Sequence, residues 1–107
     1  MADLNDTEAA RVALEQIWYR LAPIADEARH AQEETTKNPS LLRDPWVEAQ
    51  TRWLSVFDRE LAAVQTVYEA AQGGAKLSTD ELYAAREAGE KLLGIISETR
   101  ERAPQPV

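Results

Sequence analysis

The spacing most suggestive of chemistry is Glu27-Ala28-Arg29-His30. On a helix, Glu-x-x-His sets a carboxylate and an imidazole on one face. Di-iron carboxylate bundles use two such pairs plus two further glutamates, all aimed into the bundle. Only one pair exists here, so a metal site would need a symmetric dimer, with Glu60 or Glu15 completing the set. The nearby apolar stripe runs through Ile24, Ala28 and Ala31 and passes beside Glu27 and His30, so His30 reads as a surface histidine. The expectation is no metal and no cofactor, with Glu27 and His30 as the pair to inspect.

Other catalytic arrangements have less behind them. A Ser-His-Asp site could form only through His30, the single histidine. Neither a Gly-x-Ser-x-Gly turn nor a strand to carry one is present. Gly73-Gly74 lacks the Lys and Ser/Thr of a phosphate loop. The adjacent carboxylates Glu33-Glu34 and Asp80-Glu81 fall on polar faces and helix ends. Solvated charge is the expected reading there, since raising a carboxylate pKa takes burial. No residue is assigned a catalytic role, and the chain reads as a non-enzyme.

The elements that would position these residues are helical. The first runs from about Asn5 to Thr36, with Asn5, Asp6 or Thr7 as N-cap. Its seam is Ala10, Leu14, Ile17, Leu21, Ile24, Ala28 and Ala31, alternating four and three residues. Pro23 interrupts the pattern without shifting it, which predicts a kink, with a split into two helices near Ala22 as the alternative. Asn38-Pro39-Ser40 marks a turn, and Asp44-Pro45 reads as an N-cap followed by proline at the first helical position. The second helix spans Pro45 to about Gln72. Its seam is Val47, Gln50, Leu54, Phe57, Leu61, Val64, Tyr68 and Ala71, with Trp46, Trp53 and Val67 in a flanking column. Gly73-Gly74 stops it. Ser78 and Glu81 form a capping box for the third helix, with Leu77 and Leu82 at staple positions. Its seam is Leu82, Ala85, Gly89, Leu92 and Ile96, widened by Leu93 and Ile95.

Short connections make neighbouring helices antiparallel. The predicted fold is therefore all-α, an up-down-up three-helix bundle with long helices, the first kinked or split at Pro23. An extended hairpin that completes its core by dimerising is the runner-up. Residues 1–103 are expected to form one bundle domain and 104–107 a frayed tail.

The chain has 107 residues, 44% apolar and 29% charged, with a net charge of −7 and no cysteine. The lack of cysteine excludes disulfides, thiolate zinc sites and cysteine nucleophiles. The acidic excess is spread along the chain without a basic cluster, which argues against direct nucleic-acid contact, since phosphate neutralisation supplies most of that affinity. It also argues against an anionic membrane surface. No apolar run approaches the ~20 residues of a membrane span. Met1 to Glu8 lack the basic and apolar regions of a signal peptide, so a cytoplasmic location is expected. The Ala/Arg/Glu-rich style suggests a bacterial or phage chain.

What remains is recognition. Trp46, in the first turn of its helix, is expected to be partly exposed, with Arg43, Glu48 and Gln50 as a polar rim around an aromatic anchor. Leu92, Leu93, Ile95 and Ile96 are apolar on more sides than one three-helix core needs; either they cover the end of the bundle against Leu14, Ile17 or Val64, or Leu93 and Ile95 form a second contact surface, as in a homodimer. The leading expectation is a non-enzymatic interaction module (adaptor, chaperone or assembly factor) that presents a helix face to a protein partner. The alternatives are an acidic inhibitor of the phage counter-defence type and a dimeric carboxylate metal bundle. The inhibitor would occupy a partner's basic nucleic-acid channel through Asp26, Glu27, Glu33 and Glu34. It requires those carboxylates to cluster; interspersed Arg20, Arg29, Arg52 and Arg59 would weaken it.

Overall fold

A computed structural model describes the backbone of residues 4–102 and the side chains of residues 6–102. The tail expected at 104–107 lies outside the described residues. Three long helices follow one another: α1 (Leu4–Lys37), α2 (Pro45–Gln72) and α3 (Thr79–Arg102), with a 3-10 turn at Pro39–Arg43 between the first two. Every helix packs against both others. The fold is the expected all-α three-helix bundle, an elongated body of 54 × 25 × 18 Å. Among the described residues no helix is long and apolar enough to cross a membrane.

Local chemistry sets most of the boundaries. The Asp44 carboxylate accepts from the backbone N–H of Trp46 (2.9 Å) and Val47 (3.4 Å), capping two free donors at the start of α2 while Pro45 needs none. At its end, Ala75 N donates to the Ala70 carbonyl (3.0 Å) and Gly74 N to that of Ala71 (3.3 Å). These are the paired bonds of a Schellman stop, and Gly74 takes the positive φ of 82° that the motif requires. Ser78 Oγ accepts from Glu81 N at 3.1 Å, the Ser half of the capping box.

The start of α1 corrects the sequence reading. The helix is already formed at Leu4, so Asn5, Asp6 and Thr7 lie within its first turn and none is the N-cap. Thr7 instead faces α3 and shares a 2.9 Å hydrogen bond with the Thr79 hydroxyl, joining the first turns of α1 and α3.

Pro23 does not split α1, which is one helix through that point. Its missing N–H leaves the carbonyl four residues earlier without a donor. Pro23 is exposed, so water can reach that side of the helix. Among the described helical residues, the non-helical φ/ψ falls elsewhere, at Phe57 in α2 (−110°, 15°).

The core stripe of α1 also differs slightly from the predicted seam. Ala25 is fully buried, whereas Ile24 and Ala31 are half-buried. A strict three-four alternation averages 3.5 residues per turn, and a helix of 3.6 drifts by about 20° each heptad. By the second half of α1 that drift carries the buried position from 24 to 25. The rest of the core is as expected: Leu14, Leu21, Leu61, Val64, Leu82, Leu92 and Ile96 are buried to 2% exposure or less. Trp53 is buried too, and its indole N–H donates to the Leu92 carbonyl at 3.2 Å.

Gly89 marks the close approach of α1 to α3. A Cβ built there would stand 2.6 Å from Ile17 Cγ2, whereas one at Gly94 would meet nothing within 4 Å. Ile17 is β-branched and stiff in a helix, so it cannot simply turn away. Gly89→Ala should therefore destabilise the fold by about 1–3 kcal/mol through overpacking. Gly94→Ala should stabilise it by about 1 kcal/mol through helix propensity alone. Urea midpoints for the two variants should move in opposite directions. Movement together would show that the α1–α3 approach does not depend on a missing Cβ.

Candidate interaction face

The residues expected to form a contact patch around Trp46 separate in the fold. Trp46 is half-buried against the core. Its indole N–H donates to Glu27 Oε1 at 3.4 Å, and the Arg100 guanidinium lies 5.6 Å from its ring centre. Both its polar end and a ring face are therefore engaged inside the chain, where it ties the start of α2 to α1 and α3. Gln50 is buried at 3% exposure and so is not part of a polar rim; its Nε2 is buried without a hydrogen-bond partner. Leu93 is likewise a core residue at 7% exposure, not a surface one, because the flank of α3 that carries it turns inward. Arg43 stays exposed, and Glu48 pairs with Arg52 along α2. Of the six residues, Ile95 lines an apolar groove.

The candidate carboxylates lie among cations. Asp26 pairs with Arg29 (3.6 Å), Glu34 with Lys37 (3.9 Å), and Glu27 accepts from Trp46; Glu33 is exposed. Arg29 also reaches Gln65 on α2 (3.2 Å). Arg20 and Arg59 are exposed on the same two helices. His30 is exposed, and among the described residues no three of His, Asp and Glu gather in a way that could hold a metal ion.

The surface with the clearest recognition chemistry lies between α2 and α3. On α2, Ala49, Val56, Glu60, Ala63 and Val67 follow one another on the flank beside the core seam. On α3, Ala84, Ala88, Lys91, Ile95 and Thr99 do the same. All ten are at least partly accessible, and Val56 is 65% exposed. The opposite flank of α2 carries Thr51, Asp58, Gln65 and Glu69 and is polar throughout.

Two apolar grooves open along this face. One of about 130 Å³ is bordered by Val56, Phe57 and Ile95, floored by Trp53 and edged by Arg52 and Thr99. The other, about 320 Å³, lies among Ala63, Val67, Ala84 and Ala88 and is edged by Glu81. Between them Lys91 Nζ sits 3.2 Å from Glu60 Oε2 and 5.6 Å from the centre of the Phe57 ring. The Phe57 irregularity in α2 thus falls at the inner end of the first groove.

Of this face, the sequence singles out Ile95 as a contact residue, places Val67 in the Trp column and names Glu60 for a metal set. The missed signal was a second column of small apolar residues on each helix, next to the core seam and free of charge except at its middle. Such a column is hard to recognise when alanine also fills the core.

The opposite side of the bundle carries an aromatic cluster. Trp18 stacks on Tyr68 with ring centres 5.4 Å apart, and Tyr19 meets the Tyr68 edge at 6.5 Å. The Tyr19 hydroxyl donates to Glu15 Oε1 at 2.8 Å, and the anion holding this proton pushes the phenol up to about 12. The folded-state value is raised, so the bond's contribution is complete below the ordinary phenol range near 10 and is lost as pH rises through about 12.

Two results should follow. In a titration of phenolate absorbance, Tyr19 should ionise above the ordinary phenol range, and Glu15→Gln should lower its pKa. A Tyr19 that titrates normally in the wild type would show that the bond does not persist in solution. Gln50→Leu should raise the urea midpoint, with a gain of about 1 kcal/mol from removing a buried donor that lacks a partner; a loss would mean that the amide is satisfied.

Comparison of the chain with known protein families, curated proteins and solved structures found no match.

Proposed function

We propose that the protein is a non-enzymatic, cytoplasmic interaction module that presents its α2–α3 face to a helix of a protein partner. The observation that carries this reading is the paired apolar grooves, bordered by exposed Val56 and half-buried Ile95. A helix laid into such a groove gains from burying apolar area, and small residues such as Ala63, Ala84 and Ala88 let it approach closely. The face carries few charges, and Glu60 and Lys91 already neutralise each other. Adaptor, chaperone and assembly factor share this mechanism.

The anchor differs from the one expected from sequence. Trp46 is occupied within the bundle, so Val56, Phe57 and Ile95 take its place. The acidic-inhibitor reading gains nothing from the arrangement, because Asp26 and Glu34 have cationic neighbours one helical turn away. The metal reading rests on Glu27 and His30, and Glu27 is already an acceptor for Trp46.

The test is affinity capture from the native host with the wild type, Val56→Glu and Asp26→Asn/Glu34→Gln. Val56 is exposed, so the first variant should melt like the wild type. A partner that withstands high salt and is reduced about tenfold or more by Val56→Glu is the expected result. A partner indifferent to Val56→Glu but lost in high salt and in the double variant would overturn the reading in favour of the acidic one.

A further inference from the structure

Three features that weaken a helix fall at one level of the bundle, and from this we infer that the bundle hinges there, opening and closing the groove between Val56 and Ile95. In α1 the feature is Pro23, which removes a backbone donor. In α2 it is the kink at Phe57, whose φ/ψ leave the helical values. In α3 it is Gly94. A glycine weakens a helix interior, and packing does not ask for one here, since a Cβ would meet nothing within 4 Å. Contacts between helices set the level. Thr7 meets Thr79 and Ile17 meets Gly89, both pairs 72 residues apart, so Pro23 stands level with Ile95 and its neighbour Gly94. Phe57 and Ile95 border the same groove.

An unbroken hydrogen-bond ladder resists bending, and helices bend sharply at prolines, at glycines and where the ladder is disturbed. A single such feature would be held straight by the two helices packed against it. Three at one height leave a cross-section in which none of the helices has its full stiffness. Pro23 and Gly94 are exposed, so water can reach carbonyls freed by bending. The two sides of the level are each tied within themselves. On one side the Thr7–Thr79 bond joins the first turns of α1 and α3. On the other Trp46 holds the three helices together through Glu27 and Arg100. The motion is therefore that of two short bundles about a shared level, a hinge in which a few residues absorb the change. The groove lies at this level with Trp53 as its floor, and the Trp53 indole N–H donates to the Leu92 carbonyl across it at 3.2 Å. Bending that widens the groove breaks this bond. The motion belongs to the chain by itself and does not depend on the interaction-module reading.

Native-state hydrogen exchange, read residue by residue by NMR on the wild type and Gly94→Ala, tests this. Amides whose bonds span the level, at 24–27, 58–61 and 95–98, should be about tenfold or more less protected than those of Leu14, Val64 and Ala85. The Trp53 indole N–H should share their low protection. At urea concentrations too low for global unfolding to contribute, Gly94→Ala should slow exchange about fivefold at the level in all three helices, the Trp53 indole included. Slowing in α1 and α2 cannot come from new packing, because a Cβ at residue 94 touches neither. Protection at the level equal to that at Leu14, Val64 and Ala85 overturns the hinge. Slowing confined to 95–98 also overturns it, since α3 would then be weak by itself. A Trp53 indole as protected as the Leu14 amide, or unaffected by Gly94→Ala, overturns the link between the hinge and the groove.

Discussion

The closeness of α1 to α3 is the constraint on which the other contacts depend. Ile17 occupies the space that a Cβ at residue 89 would need, so the two backbones approach as only glycine permits. With α1 seated there, Leu92, Leu93 and Ile96 of α3 are all covered. An excess of apolar side chains in the sequence thus becomes an ordinary core. α2 then closes the triangle, with Trp53 donating to the Leu92 carbonyl from within that core. The flanks of α2 and α3 that turn away from α1 have no third helix to cover them. Val67, Ala88 and Ile95 on those flanks still pack against the edge of the core, while Val56, Ala63 and Ala84 are exposed.

Charge in this molecule is managed mostly along each helix. Arg11 with Glu8 and Glu15, Arg52 with Glu48, Arg86 with Glu90 and Arg102 with Glu98 pair at three- or four-residue spacing on exposed faces. Such pairs contribute a few tenths of a kcal/mol each and are screened by salt. They do, however, keep a net charge of −7 from gathering into one field. The Glu60–Lys91 bridge is different: it joins two helices and lies in the middle of an apolar face, where it can fix a register.

What could be read from the sequence was whatever is decided within one helical turn. Asp44-Pro45, Ser78 with Glu81, and Gly73-Gly74 bound their helices because a cap needs only its neighbours. The seams of α2 and α3 were legible for the same reason. The remainder depended on which flank met which helix. Gln50 and Leu93 belong to the seams of their helices, as the periodicity indicates; that neither also joins a contact surface depended on the element packed over each, which a helical wheel does not give. Trp46 is partly exposed, as its first-turn position implies, but its two partners, Glu27 and Arg100, lie on other helices and cannot be read from its own. Helix one is already formed at Leu4, and Thr7 bonds to Thr79 on α3. The α2–α3 face escaped notice because small apolar residues outside the core look in sequence like any other alanine-rich helix.

The three tryptophans give the bundle an internal set of optical reporters. Trp18, stacked on Tyr68, sits at the seam between α1 and α2. Trp53, bonded to the Leu92 carbonyl, sits at the seam between α2 and α3. Trp46, held by Glu27 and covered by Arg100, joins all three helices at one end of the molecule. Each indole thus has a different polarity around it and a different quencher or acceptor nearby. Variants that keep one indole at a time would report each seam separately, so cooperativity between the helices is open to measurement without attaching a label.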